Sequence, residues 1–104
     1  MLFRSNGAGG GRQLLTKLSD VPAGGGVITS GVVVTRGSGD TVHAFSATCT
    51  HLGCEVNKVS GGKIFCPCHG STFNADTGAV IQGPASSPLP AVPVTVENGD
   101  VYTS

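Results

Sequence analysis

Four cysteines and two histidines lie in two short boxes of this 104-residue chain. One box reads CTHLGC and begins at Cys49, and the other reads CPCHGS and begins at Cys66, with eleven residues between them. His51 follows Cys49 by two positions and His69 follows Cys66 by three, so a tight turn can direct both side chains of a pair to one point. Each box therefore offers a thiolate and an imidazole, which are ligands for transition metals.

One ordinary metal ion takes four ligands, so Cys54 and Cys68 would remain as two further residues. Several kinds of site could therefore account for the six residues. A zinc ribbon would take four of them and leave two cysteines without a purpose. A disulfide framework would ignore two histidines at ligand spacing, and a catalytic thiol activated by one histidine needs no second box. Two irons bridged by two sulfides need four protein ligands and leave two cysteines that can form a disulfide, so this site uses all six residues.

The two boxes together resemble the signature of the Rieske iron–sulfur proteins, in the disulfide-containing, high-potential subclass of bacterial cytochrome bc complexes and arsenite oxidase small subunits. Gly83-Pro84, followed by a Leu-Pro pair, resembles the proline-containing third loop that shields the cluster in that family, although Gly-Pro alone is a weak signal. In Rieske centres, two histidines replace two cysteines on one iron of a [2Fe–2S] cluster. The resemblance covers the chain from about Gln13 to Thr103 and implies this cofactor.

The resemblance also assigns the six residues of the boxes. It implies that two cysteines bind one iron, that two histidines bind the other, and that the remaining cysteines form a disulfide. By this resemblance, the iron-binding cysteines would be Cys49 and Cys66, the iron-binding histidines would be His51 and His69, and the disulfide would join Cys54 to Cys68.

Two further positions of the family pattern concern the reduction potential. In high-potential members a serine hydroxyl reaches a bridging sulfide and a tyrosine hydroxyl reaches a cysteine sulfur, at positions that match Ser71 and Phe73 here. Hydrogen bonds that favour the reduced, more negative cluster raise its potential. Because the serine is kept and the tyrosine hydroxyl is absent, we expect a potential that is positive relative to the hydrogen electrode but lower than that of members with both hydroxyls.

The resemblance further implies an apolar collar around the histidines, at which partners dock. Leu52 and Pro84 would form it, although ordinary loop packing explains Leu52 equally well. His69 is the ligand that we expect to hydrogen-bond a quinol. Gly53 and Gly70 could allow close approach of the backbone to the cluster sulfides, although turn formation alone would explain both glycines.

Short β-branched runs separated by Gly, Pro, Asn and Asp predict the elements that position the boxes. These runs are LLTKL, GVITSGVVVTR, DTVHAFSA, EVNKV, GGKIFC, GAVI, AVPVTVEN and DVYTS, and no helix of three turns is predicted. They predict an all-β, antiparallel, meandering fold in which a strand leads into each box. His43, in the third run, is expected to be a surface or edge-strand histidine. With the resemblance, the expected class is a small Rieske-type fold of stacked sheets with a rubredoxin- or zinc-ribbon-like cluster-binding subdomain of two hairpin loops.

Turn residues and glycines predict the boundaries. Asn98-Gly99-Asp100 is expected to join a final hairpin and Ser60-Gly61-Gly62 a second, because Gly and Asn tolerate positive φ. Residues 1–12 are predicted to be a flexible Gly-rich segment. Residues 13–104 are predicted to be the Rieske domain, with its cluster-binding part at about 47–86.

The bulk composition limits the core and the partners. Hydrophobic residues make up 38% of the chain, aromatic residues 5%, and 17 residues are glycine, so the core needs support from cross-links or a cofactor. Six basic and six acidic residues balance and no basic run occurs, so we expect no nucleic acid partner and no membrane contact by this segment. No run approaches the roughly 20 apolar residues of a membrane span, and MLFRSNGAGGGRQ lacks the apolar core of a signal peptide.

The predicted function is proton-coupled one-electron transfer by a carrier that is not itself an enzyme. Its expected partners are a quinol-oxidising complex, with quinol bound through a cytochrome b-type subunit, or another extracytoplasmic oxidoreductase, and a cytochrome or copper acceptor. A disulfide implies an extracytoplasmic location, and we expect a signal, anchor or tether upstream of the given sequence. The alternatives are a Rieske ferredoxin that feeds a ring-hydroxylating oxygenase, and a zinc-stabilised β binding module.

Overall fold

The computed structural model of the protein describes residues 12–37, 41–49, 54–68 and 70–103. Within these ranges the chain forms ten short strands and one turn of 3-10 helix. The strands are β1 (Leu14–Lys17), β2 (Gly26–Thr29), β3 (Val32–Arg36), β4 (Val42–Ser46), β5 (Lys58–Ser60), β6 (Lys63–Phe65), β7 (Thr72–Asn74), β8 (Val80–Gln82), β9 (Val94–Glu97) and β10 (Asp100–Thr103), and the helical turn is Leu18–Asp20. The predicted all-β class is confirmed. In the part of the chain that the structure describes, no helix has the length and hydropathy to cross a bilayer.

The strands form three antiparallel sheets. The terminal sheet has the order β9-β10-β1, the middle sheet β2-β3-β4, and the loop sheet β5-β6-β7-β8. Contacts between β9 and β4 join the terminal sheet to the middle sheet, and contacts between β2 and β5 join the middle sheet to the loop sheet. The predicted meander therefore holds for the middle and loop sheets, whereas the terminal sheet pairs the first strand with the last.

The middle sheet separates two apolar cores, because the side chains of a strand point alternately to its two faces. On one face, Val33 and Phe45 belong to the larger core, which also holds two of the cysteines. On the other face, Val34 and Ala44 belong to the smaller core. The smaller core is completed by Leu15, Val21 and Val101. Burial on both faces explains the uninterrupted valine run of β3.

Both predicted turns are confirmed as two-residue hairpin loops. Asn98 and Gly99 connect β9 to β10 with φ values of 52° and 77°. Gly61 and Gly62 connect β5 to β6 with φ values of 59° and 77°. Positive φ at both central residues matches the right-handed twist of the flanking strands.

The loop sheet departs from the sequence prediction in two places. Strand β7, at Thr72–Asn74, was not among the predicted runs, because three residues in which a buried threonine and phenylalanine adjoin give no alternation. It forms because β6 and β8 pair with its two edges. The run EVNKV becomes a strand only from Lys58, and Glu55 contributes an isolated bridge to Thr48 instead.

The first described residues tie the start of the domain to its last strand. The amide of Gln13 donates to Oγ1 of Thr103 at 2.8 Å, and the amide of Thr103 donates to the carbonyl of Gln13 at 2.9 Å. The Arg12 guanidinium lies 4.5 Å from the centroid of the Tyr102 ring. Backbone pairing thus begins where the sequence predicts the domain to start. Residues 1–11 lie outside the described residues, so the domain boundaries stay a prediction.

Candidate metal centre

The two Cys/His boxes are loops of equal length that are closed in the same way. The amide of Cys49 donates to the carbonyl of Cys54 at 2.6 Å, and the amide of Cys66 donates to the carbonyl of Ser71 at 2.9 Å. Both bonds span five positions, and β4 leads into the first loop as β6 leads into the second. A strand-like pairing also precedes each bond, between Thr48 and Glu55 in the first loop and between the equivalent positions of β6 and β7 in the second. Cys49 and Cys66 are therefore equivalent residues, each the first of its loop.

Burial divides the four cysteines into two pairs. Cys49 is 2% exposed and Cys66 is 3% exposed, and both belong to the larger apolar core. Cys54 is half-buried and Cys68 is exposed, and their sulfur atoms form a disulfide with a Cα–Cα distance of 6.4 Å. The structure thus contains the disulfide that the resemblance implies, and it links the two loops. The buried pair consists of thiols outside that disulfide.

Four of the predicted site residues lie outside the described residues. They are His51, Leu52, Gly53 and His69. The nearest described residues on either side are Cys49 and Cys54 in the first loop and Cys68 and Gly70 in the second. The assignment of the histidines as ligands, of Leu52 to the collar and of Gly53 to close backbone approach stays a prediction.

Ser71, which ends the second loop, has a fully buried side chain. Its Oγ accepts a hydrogen bond from the amide of Ala85 at 3.0 Å. A serine hydroxyl has one proton to donate, and within the described part of the chain we find no acceptor for it. A buried donor of this kind needs an acceptor, and a cluster sulfide bound at the neighbouring Cys66 is a group that could provide one.

Phe73 stands at the other predicted tuning position, and it is fully buried. It lies on β7 between Ile64 of β6 and Val80 of β8, and its ring belongs to the same core as Cys49 and Cys66. The position is therefore close-packed and apolar, and it has no hydroxyl to offer to a cluster.

The third loop follows β8 and carries the predicted Gly-Pro pair. The Gly83–Pro84 peptide bond is cis, and both residues are exposed, as the collar prediction requires for Pro84. Ala85 is 4% exposed and belongs to the larger core, so this residue anchors the loop. In the second box, Gly70 has a φ of 81°, and a Cβ there would meet no described heavy atom within 4 Å. The left-handed backbone alone accounts for this glycine.

The hydrogen bond from Ala85 to Ser71 was not predicted from the sequence. Ala85 contributes its backbone amide, and the residue type at a position does not indicate such a bond. His43 was placed correctly. It lies half-buried on β4, at the end of the order of the middle sheet, and its ring stacks on Phe45 with centroids 6.5 Å apart.

The first box and the second and third loops carry no formal charge, whereas the exposed Glu55 directly follows the first box. Residues 64–75 and 77–96 contain no Asp, Glu, Lys or Arg, and the first box contains none either. The exposed residues beside the third loop include Ile81, which is 47% exposed, and Gln82. The surface of the second and third loops is therefore neutral and partly apolar.

The donor set fits an iron–sulfur cluster. Two buried thiols stand at equivalent positions of two loops, a disulfide holds the loops together, and the buried Ser71 hydroxyl has a proton to donate. Thiolates prefer iron–sulfur clusters and other soft metals, and one histidine follows each buried cysteine in the sequence.

Comparison with known proteins identifies the class. The family model described as Rieske [2Fe-2S] domain matches residues 12–93, and the chain belongs to this family. The cytochrome b6-f complex iron-sulfur subunit of Synechococcus sp. (strain WH7803) is 49% identical over 63 residues, which are 60% of this chain and 35% of that protein. The chain spans between 30% and 50% of the length of the curated relatives it matches.

Solved structures agree on the fold. The cyanobacterial plasma membrane Rieske protein from Synechocystis PCC 6803 is 37% identical, with a TM-score of 0.66 over 78% of this chain and 86% of that chain. A chain of the complex of reduced oxygenase and oxidized ferredoxin in carbazole 1,9a-dioxygenase is 32% identical, with a TM-score of 0.73 over 89% of this chain and 92% of that one. The predicted Rieske fold and [2Fe–2S] cofactor are confirmed. Membership of this family argues against the alternative of a zinc-stabilised β binding module. The prediction of an electron carrier rather than an enzyme agrees with relatives that are iron–sulfur subunits.

Proposed function

We propose that this domain transfers single electrons through a [2Fe–2S] cluster held between its two box loops. Cys49 and Cys66 would bind one iron, and His51 and His69 would bind the other. The observation that carries this assignment is the equivalence of the two buried cysteines, each of which starts a loop closed by the same amide-to-carbonyl hydrogen bond. When bound, the cluster supplies a one-electron couple whose potential is raised by its two neutral imidazole ligands.

The protein's own residues shape this site in three ways. The larger core excludes water from Cys49 and Cys66, which strengthens electrostatic interactions around them. The disulfide between Cys54 and Cys68 fixes the separation of the two loops. The hydroxyl of Ser71 is available to donate a hydrogen bond toward the cluster, whereas Phe73 has no hydroxyl that could donate a second one.

We propose that the electron donor is a quinol-oxidising complex and the acceptor a cytochrome or copper protein. Two observations support this. One relative, the cytochrome b6-f complex iron-sulfur subunit of Chlorobaculum tepidum, matches 83% of this chain at 40% identity. The exposed surface of the third loop is uncharged and includes Pro84, which suits an apolar docking surface for a quinol-binding subunit. His69 would be the ligand that hydrogen-bonds the quinol.

The proposed function also implies on which side of a membrane the domain lies and how it is attached to its complex. A structural disulfide persists in oxidising compartments, so the pair Cys54–Cys68 supports a position on the extracytoplasmic side of a membrane. A signal or membrane anchor upstream of the given sequence would bring the domain there and tether it to its complex.

A second candidate function is that of a ferredoxin for an aromatic-ring oxygenase. The similarity to a chain of the carbazole 1,9a-dioxygenase oxygenase–ferredoxin complex favours it, because that match covers nearly all of both chains. The disulfide favours the first candidate, since the extra cysteine pair belongs to the high-potential subclass that the boxes resemble.

A redox titration of the purified holoprotein over a range of pH separates the two. Histidine ligands couple reduction to protonation, because the proton affinity of the second ring nitrogen depends on the oxidation state of the iron. A potential that is positive relative to the hydrogen electrode and falls with rising pH above the pKa of the ligand histidines supports the quinol-linked function. A negative potential that is independent of pH near neutrality supports the ferredoxin instead.

A further inference from the structure

Ser71 connects the second box loop to the third loop. Its carbonyl accepts the amide of Cys66 at 2.9 Å, which closes the second loop. Its Oγ accepts the amide of Ala85, fourteen positions further along the chain, at 3.0 Å. Both Ser71 and Ala85 are buried, so water does not compete for either bond. One residue thus takes part in both loops, through its backbone in one and its side chain in the other.

The hydrogen bond from the Ala85 amide restricts the direction in which the Ser71 hydroxyl can donate its proton. An amide nitrogen is only a donor, so the hydroxyl oxygen accepts in this bond and the hydroxyl proton must point away from Ala85. Within the described residues that proton has no acceptor, and leaving a buried donor unpaired is unfavourable. With one lone pair engaged, the hydroxyl has fewer favourable rotations than that of a serine exposed to water.

We propose that the backbone amide of Ala85 is a positioning group, which holds the Ser71 hydroxyl as a donor directed at the cluster. The third loop then sets the reduction potential through Ser71, in addition to covering the cluster. This inference rests on the proposed ligand set, and it adds a backbone group that is not itself one of the proposed ligands. Ala85 can serve in this way because its side chain is anchored in the core, which fixes the direction of its amide.

A double-mutant cycle on the reduction potential tests the proposal. Ala85→Pro removes the amide hydrogen, whereas Ala85→Gly keeps it and removes only the methyl group. We expect Ala85→Pro to lower the potential by no more than Ser71→Ala does, and to lower it no further when Ser71 is already alanine. Ala85→Gly keeps the amide and loses only the methyl anchor, so it should lower the potential by less than Ala85→Pro does. Equal shifts from Ala85→Pro in both backgrounds, or no shift in either, would overturn the proposal.

Amide hydrogen exchange provides a second test that does not need the Ala85→Pro variant to fold. In Ser71→Ala, exchange of the Ala85 amide, followed by mass spectrometry at residue resolution, should accelerate about tenfold, because the bond that protects it is lost. Ser86→Ala removes an exposed hydroxyl from the same loop and should leave that rate unchanged. An unchanged rate in Ser71→Ala contradicts the proposal. A protein without any Rieske signal contradicts the proposed function instead, so the two failures are distinguishable.

Discussion

Cys49 and Cys66 occupy the same position in two loops that are closed by the same five-position hydrogen bond. Each stands at the end of a strand-like pairing and is buried in one core, while the partners of the disulfide, Cys54 and Cys68, lie nearer the surface. The arrangement therefore assigns different roles to residues of one type.

Replacing a buried cysteine should remove the cluster, and replacing the disulfide should not. We expect Cys49→Ser or Cys66→Ser to lower the iron and acid-labile sulfide bound per chain by more than about tenfold, because a ligand is lost outright. The matched control is Cys54→Ala combined with Cys68→Ala, which should keep most of the iron. Retention of the cluster in either ligand variant, measured by iron content and visible absorption, would contradict the assignment.

The disulfide should stabilise the domain by linking the two loops. Its cysteines are fourteen positions apart, and closing a loop of this size lowers the entropy of the unfolded chain. We expect the double variant Cys54→Ala, Cys68→Ala to lose about 2 to 5 kcal/mol of unfolding free energy, measured by denaturant titration. Reductant should destabilise the parent protein to a similar degree and leave the variant unaffected. Equal stability of the two oxidised proteins would count against a structural role.

Restoring the absent hydroxyl at Phe73 should raise the reduction potential. A donor at this fully buried position would favour the reduced cluster, and for a one-electron couple about 1 kcal/mol corresponds to roughly 40 mV. We expect Phe73→Tyr to raise the potential by about this amount and Ser71→Ala to lower it similarly, in voltammetry of the holoproteins. Phe65→Tyr places a hydroxyl on a half-buried ring beneath the Lys58 ammonium and should have no such effect. A lowered or unchanged potential in Phe73→Tyr would refute this account of tuning.

Electron transfer through the surface of the second and third loops should depend little on ionic strength, because residues 64–75 and 77–96 carry no formal charge. Charge-steered association slows by about tenfold or more as salt rises, whereas we expect the reduction of a soluble c-type cytochrome to change by less than about twofold in stopped-flow measurements. Gln82→Glu, at an exposed position beside the third loop, should introduce a salt dependence, and Gln13→Glu, just before the first strand of the terminal sheet, should not. A steep salt dependence of the parent protein would show that charges elsewhere guide the partner.

The sequence predicted the all-β class, the family and the disulfide, whereas the pairing of some strands could not be predicted from it. The two boxes define the family and the disulfide, since few sites need thiol and imidazole ligands at this spacing. The β-branched runs located most strands, and the turns at Gly61 and Asn98 followed from their tolerance of positive φ. Strand β7 was missed because its pairing with both neighbours, rather than its own three residues, stabilises it.

Long-range and backbone features lay beyond sequence reasoning for physical reasons. The pairing of Gln13 with Thr103 joins the two ends of the domain, and neither segment specifies the other locally. The amide of Ala85 is a donor that every residue except proline has, so only the fold can select it for contact with Ser71.

Nitrogen hyperfine spectroscopy of the reduced protein tests the central claim most directly. The protein would be produced with 15N-histidine and with natural histidine, and compared by pulsed electron paramagnetic resonance. The ligand set of Cys49, Cys66, His51 and His69 predicts two strongly coupled nitrogens that change with the isotope, and the same two in His43→Gln. A paramagnetic cluster without histidine couplings, or with couplings lost in His43→Gln, would contradict it.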